Sequence, residues 1–494
     1  MLTTNQELKR LIDELWNKLW SGGISNPLTA IEQITYLIFI RKLDEDESLF
    51  EGIYPEIKDI ERERFKKGEE DKEKRVPKSE LRWRNFSKLK NRDEKLTLFR
   101  DFVFPFIKEL NGEHSRFTHA MSDAVFVISN ASVLDDAIKT IDALYVEIEK
   151  DAKEHSFQDI QGDVYEMLLN QLSQAGKNGQ FRTPRHIIEL VTKLVDPKKD
   201  DKIGDPACGT GGFLLGAYQH ITKNRKTKVK NPKLHGYDID VTMVRLGLMN
   251  LIMHGIDDPQ IENMDTLSKE FNQEENDTYD VILANPPFTG SLNKEEIDTT
   301  LLLKKNNNST KTELLFIERI HKMLKKDGTA GIIIPQGVLF GAGQAFVKAR
   351  EIMIEQSQLK AVISMPSGVF QPYAGVTTAI LIFTKGSTTK DVFFYNMEND
   401  GYSLDVKRAK IEQSDIGDII EKYKDKKFKG DNTKKAFFVS KEKIIENDYD
   451  LSFNSYYEEE YIPVNYREPN VILEDLQVLE DSIQSELKEI KSLF

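Results

Sequence analysis

Asn285-Pro286-Pro287-Phe288 closes the apolar run Tyr279-Asp280-Val281-Ile282-Leu283-Ala284. This order of residue types suits methyl transfer to a planar exocyclic amino nitrogen such as that of adenine. The lone pair of that nitrogen is conjugated into the ring, so it attacks a methyl donor only when the nitrogen is drawn toward tetrahedral geometry. Two acceptors achieve this. The Asn285 side-chain oxygen and the Pro286 backbone carbonyl each take one N–H bond and leave the lone pair facing the methyl group. Pro287 pushes its predecessor away from helical angles, which holds the turn extended and leaves carbonyls unspent on a helix. Phe288 supplies an aromatic face for the base. A base locked in a duplex cannot enter such a pocket and has to be flipped out, at a cost of roughly a few kcal/mol that stacking partly offsets. Taken alone, Asn-Pro-Pro is also an ordinary turn after a strand.

A donor site is expected upstream. Lys202 to Leu215 reads as a strand end, a glycine turn and a helix start, in which Gly209, Gly211 and Gly212 let backbone approach a ligand where doubly wound folds bind nucleotides. A dinucleotide G-x-G-x-x-G pattern fails because position 214 is Leu, and Asp205 at the strand end would repel a pyrophosphate. The uncharged turn Pro206, Ala207, Gly209 and Thr210 beside a carboxylate instead suits a cation, and S-adenosyl-L-methionine carries both a sulfonium and an amino group. Asp238, ending the next strand, is placed to accept ribose hydroxyls. Asp240 is expected to cap the helix that starts at Val241. Asp265, at the end of a third strand, either contacts the cofactor adenine or forms a turn before Thr266.

Asp205-Pro206-Ala207-Cys208-Gly209-Thr210-Gly211-Gly212-Phe213-Leu214 followed by Asn285-Pro286-Pro287-Phe288 resembles the N6-adenine DNA methyltransferases, with the cofactor loop ahead of the catalytic loop. Gln180-Phe181-Arg182-Thr183-Pro184-Arg185 resembles the segment that closes over S-adenosyl-L-methionine in the modification subunit (HsdM) of type I restriction-modification systems. The stretches Leu15-Trp16 to Leu43 and Leu451 to Tyr456 are similar to that subunit too, so the likeness covers nearly the whole chain. It implies a Rossmann-like methyltransferase sheet, cofactor contacts at Gln180 to Pro184, and methylation at N6 of a flipped adenine in a specific sequence of double-stranded DNA. It also implies partners: a second copy of this subunit, a specificity subunit (HsdS) that reads the DNA, and a restriction subunit (HsdR) that can join. No target-recognition domain is evident in the sequence itself, which fits dependence on such a reader. A protein glutamine methyltransferase, which shares the Asn-Pro-Pro turn, a self-contained restriction-modification enzyme and a non-catalytic assembly scaffold are the alternatives.

Composition supports a bacterial cytoplasmic enzyme. The 494 residues are 39% hydrophobic and 31% charged, enough for a core without staples. A single cysteine excludes an internal disulfide and any multi-cysteine zinc site, no metal is expected, and no stretch is long and apolar enough to span a bilayer. The formal net charge of −13 repels duplex DNA, so phosphate contacts have to come from local basic patches or a partner. In the mixed-charge stretch from Arg62 to Arg92, the cluster Arg82-Trp83-Arg84-Asn85-Phe86 is expected to pack between elements. Lys223 to Lys233 reads as a basic loop away from the active edge.

Three regions are expected: a helical domain over 1–155, an α/β catalytic domain over 156–400 and an extension over 401–494. Strand-like runs at 201–205, 234–239, 261–265, 279–284, 329–334, 359–365, 377–384 and 391–395 alternate with helical segments, which predicts a mostly parallel sheet covered on both faces. The connection from Ser367 to Gly375 is too short for a crossover helix, so the sixth and seventh runs should pair antiparallel. Thr289 to Thr310 reads as a mobile polar loop. Ile472, Leu476, Leu479, Ile483, Leu487 and Ile490 recur every three or four residues and predict a helix whose apolar stripe needs a cover, on the body or in another subunit.

Overall fold

Short β-rich runs and amphipathic helices alternate through the middle of the chain and produce a ten-stranded sheet. The computed structural model describes residues 6–45, 47–51, 76–110, 112, 114–155, 183–223, 232–371, 375–458 and 468–493. Gln180, Phe181, Arg182, the basic run at 224–231 and most of the charged stretch from Arg62 lie outside them.

The strands are β1 (Ile203–Asp205), β2 (Leu234–Asp238), β3 (Gln260–Asn263), β4 (Tyr279–Ala284), β5 (Leu324–Pro335), β6 (Ser357–Met365), β7 (Thr378–Lys385), β8 (Asp391–Asn396), β9 (Asp400–Tyr402), β10 (Lys410–Ser414), β11 (Gly430–Asp431) and β12 (Ala436–Ser440). Sheet order is β11-β12-β8-β6-β7-β5-β4-β1-β2-β3, with β9 and β10 as a separate hairpin. β1 to β5 run parallel, and β7 is the expected reversed strand, antiparallel to both β5 and β6. A further reversed strand, β12, pairs with β8.

Strands buried on both faces read as continuous apolar runs rather than alternating ones. In β4, Val281 and Leu283 enter one core while Ile282 and Ala284 enter the other. Helices α4 (Arg185–Val195), α5 (Gly212–Lys223) and α6 (Val241–Met253) contribute to the first core, and α8 (Thr312–Met323) and α9 (Gln344–Glu355) to the second.

Upstream, α1 (Gln6–Ser21), α2 (Pro27–Leu43) and α3 (Ala131–His155) belong to the helical region. Residues Ile34 to Ile40 of α2 are all buried, so this helix is enclosed rather than half-exposed. Its buried Gln33 is satisfied by the Val125 carbonyl and the Val127 amide. Trp83 is buried, donates Nε1–H to Asp142 at 2.7 Å and packs on Phe86, while Arg82 and Arg84 both pair with buried Asp44. The aromatic cluster therefore packs elements together. Arg245 of α6 fastens the helical region to the sheet through Glu32, Asp123 and the Ala120 carbonyl.

Two compact units result, Met1–Tyr456 and Tyr457–Phe494. The breaks expected after 155 and 400 both fall inside the first. Beyond residue 400, α10 (Ile416–Lys424) follows β10, and β12 covers the edge that β8 would otherwise expose; edge coverage is a recurrent need of open sheets. In the second unit, α11 (Pro469–Ser492) forms the expected helix, and the six residues of its apolar stripe are exposed.

The loop after the Asn285–Phe288 turn is folded rather than loose. Ile297, Leu301 and Leu303 are buried, Asp298 pairs with buried Arg319, and Glu318 accepts the Leu302 and Leu303 amides at the start of α7 (Leu302–Asn307). Apolar residues interspersed among the polar ones supply the anchor that the polar character of the loop concealed.

Candidate active site

Parallel pairing brings the two predicted loops to adjacent strand ends. Gly204 of β1 stands opposite Ile282 of β4, so Asp205 and Asn285 leave the sheet at the same edge.

On the β1 side, Asp205 is buried and accepts the Ala207 amide at 3.1 Å. Burial, reinforced by the negative charge of Asp238, pushes its carboxyl up to about 8. Asp238 accepts amides from Gly209 and Asp240, both at 2.9 Å, and burial raises its carboxyl as well. Neither acid has an ion-pair partner among the described residues, which leaves a pair of acids able to receive a cation. Gly209 and Gly211 take φ of +53° and +76°, a region open to glycine, and a methyl group on Gly209 would meet nothing within 4 Å. Thr266 donates Oγ1–H to the Pro206 carbonyl at 3.1 Å, and Asn250 donates to the Thr210 carbonyl at 2.9 Å, so neighbouring elements hold the loop.

Cys208 is a small buried residue under the bend, its thiol pushed up by burial and the two acids. Asp240 caps α6 as expected, accepting the Thr242 and Met243 amides. Asp265 accepts the Leu267 amide at 2.9 Å, which is the turn role; it remains near the loop through its neighbour Thr266. Thr183 is buried and Pro184 stands ahead of α4, its carbonyl receiving the first amide bonds of that helix. Ile239, 72% exposed between the two acids Asp238 and Asp240, escaped the sequence reading. An isolated aliphatic residue between two strand-end acids is the signal that would have found it.

On the β4 side, both Asn285 side-chain atoms, Nδ2 and Oδ1, are buried and have no hydrogen-bond partner. Such groups are rare and costly, because the amide has lost water without replacement. Pro286 is buried, Pro287 is exposed, and the Pro286 carbonyl accepts no hydrogen bond among the described residues. Phe288 departs from expectation. Its ring is 2% exposed and meets Phe370 edge-on at 5.4 Å, so the face expected for a base is closed against the β6–β7 connection. Edge-to-face packing of two rings is favourable by itself and holds Phe288 in the core. Two further polar groups near the turn were not anticipated. Thr312 donates its amide to the Gly290 carbonyl at 3.2 Å, while Thr312 Oγ1 and Glu313 Oε2 are buried without partners.

Comparison with known proteins bears on this arrangement. The N-6 DNA methylase family profile matches residues 156–463, and that of the HsdM N-terminal domain matches residues 8–141. The chain is 31% identical over 389 residues to the type I restriction enzyme EcoEI methylase subunit of Escherichia coli, covering 76% of this chain and 74% of that protein. It is 30% identical over 341 residues to the MpnII methylase subunit of Mycoplasma pneumoniae, covering 65% and 61%. A solved chain from a study of complex assembly and conformational transition of the type I R-M system superposes with a TM-score of 0.67 at 25% identity, covering 99% of this chain and 98% of that one. The chain belongs to the N-6 DNA methylase family and, within it, to the HsdM-type methylase subunits of type I restriction-modification systems.

Proposed function

We propose that the protein, as a modification subunit, methylates N6 of an adenine flipped out of duplex DNA, with S-adenosyl-L-methionine as the donor and a specificity subunit choosing the site. When bound, the donor supplies an electrophilic methyl group on a sulfonium. Asp205 and Asp238 offer carboxylates to its cationic and hydroxyl groups, the Gly209–Gly212 turn admits its backbone-close portion, and Ile239 offers an apolar surface. Gln180 to Pro184 close over it by family likeness, and Asp265 offers a carboxylate to its adenine. Asn285 Oδ1 and the Pro286 carbonyl accept the two amino protons and turn the nitrogen lone pair outward. No strong base is required, because the nitrogen sheds its proton only after gaining the methyl group.

The observation that carries this reading is the buried, unpartnered Asn285 amide at the strand end beside the two acids. Phe288 is assigned to the base by family likeness, and Pro287 holds the turn extended. As a binary test, Asn285→Ala should abolish label transfer from the donor to DNA in the presence of the specificity subunit, while equilibrium donor binding stays within about twofold. Full activity of that variant, or label on a protein acceptor instead, rejects the proposal. The exposed stripe of α11 is assigned to assembly with the specificity subunit and a second copy, with the restriction subunit joining that complex.

A further inference from the structure

We infer that the β9–β10 hairpin is the element that enters the DNA beside the flipped adenine, its tip residues Leu404 and Val406 filling the vacated stack while Lys407 and Lys410 hold the flanking phosphates. The inference rests on the function proposed above and adds a DNA-contacting surface that the catalytic chemistry does not require.

Topology brings the hairpin to the catalytic edge. β4, β5, β6 and β8 run in one direction, so β8 ends on the edge where Asn285 leaves β4, and the hairpin follows β8 within a few residues. Contacts carry the placement further. A methyl group on Gly368, whose φ is +104°, would stand 2.4 Å from the Leu404 carbonyl oxygen, so the tip lies directly on the β6–β7 connection. Two residues along that connection, Phe370 packs against Phe288 of the catalytic turn.

The base of the hairpin is braced and its tip presents exposed apolar side chains. Asp400 is buried, accepts His186 Nε2–H at 2.8 Å and pairs with Arg408, and the His186 ring stacks on Tyr402 at 4.5 Å. Asp405 is spent inside the turn, accepting the Lys407 amide at 2.8 Å and Ser403 Oγ–H at 3.1 Å. Val406 is nevertheless 65% exposed and Leu404 38% exposed. Lys407 and Lys410 are exposed and form no ion pair among the described residues. An apolar tip on a braced hairpin with exposed lysines beside it matches the way proteins wedge between base steps and hold the backbone alongside. In a chain of net charge −13, two exposed lysines on this edge offer an anionic duplex local phosphate contacts.

The test compares two DNAs in the complete complex with the specificity subunit and S-adenosyl-L-methionine: a normal duplex, and one in which the target adenine faces an abasic site. The second substrate has already lost the pairing that a wedge must break. Leu404→Ser/Val406→Ser should methylate the normal duplex about tenfold or more slowly, yet approach the unsubstituted rate on the abasic duplex, with flipping reported by 2-aminopurine fluorescence reduced only on the normal one. Lys407→Ala/Lys410→Ala should lower the salt dependence of DNA binding by about two counterions. Equal losses on both DNAs, or none, overturn the inference, as does loss of specificity-subunit binding by the tip variant. Failure of the unsubstituted complex to methylate adenine in either DNA instead rejects the proposed function. The tip side chains are exposed, so an unchanged melting temperature separates these outcomes from misfolding.

Discussion

A buried amide without a partner costs a protein about 1–3 kcal/mol, and Asn285 holds both its polar atoms in that state. Asn285→Ala should therefore melt at the same or a higher temperature while losing methyl transfer, and a clear fall in melting temperature would show that the amide is structural. Asp205 carries a second consequence. Its carboxyl is raised to about 8 in the fold, so its share of stability is complete below about pH 4 and is lost as pH rises through about 8. A cationic donor favours the carboxylate, so binding expels the proton: affinity should climb with pH toward about 8 and flatten above it. Titration calorimetry in buffers of different ionisation heat checks this, and Asp205→Asn should release fewer protons at pH 7 and bind more weakly. The residue types at both positions were legible from chemistry alone. Their burial, and the absence of counter-ions among the described residues, was not.

Between elements, α4 packs closely on α5. A methyl group at Gly216 would lie 2.4 Å from Ile188 Cγ2, so overpacking of about 1–3 kcal/mol opposes the roughly 1 kcal/mol that alanine gains over glycine inside a helix. The clash is with a branched side chain packed in the core, so the steric cost wins. Gly216→Ala should lower the denaturant midpoint, and adding Ile188→Ala should make the two substitutions strongly non-additive in a double-mutant cycle. The strand runs from 203 to 396 were readable because apolar continuity and turn residues are local signals, and the short Ser367–Gly375 connection alone foretold the reversal of β7. The edge hairpin β11–β12 was missed. Its strands are only two and five residues long, and the pairing of β12 with β8 is set by a sheet edge that no local pattern announces.

For the whole molecule, the second unit contributes no buried residue through α11, and an isolated helix of this kind is marginal in water. Removing Pro469–Phe494 should leave the melting of the Met1–Tyr456 unit unchanged while abolishing co-purification with the specificity subunit; retained co-purification would assign assembly elsewhere. Within the first unit, the sequence by itself determined the glycine turn at 209–212, the Asn285–Phe288 turn and the α/β alternation. These depend on dihedral limits of glycine and proline and on periodicities that a few neighbouring residues express. Only the tertiary structure decided that Phe288 is shut against Phe370, that the loop at 289–310 is anchored by Asp298 and Arg319, and that residues beyond 400 extend the sheet and return a hairpin to the catalytic edge. Each of those outcomes turns on contacts between residues far apart in the chain, where burial and pairing, rather than local propensity, set the energy.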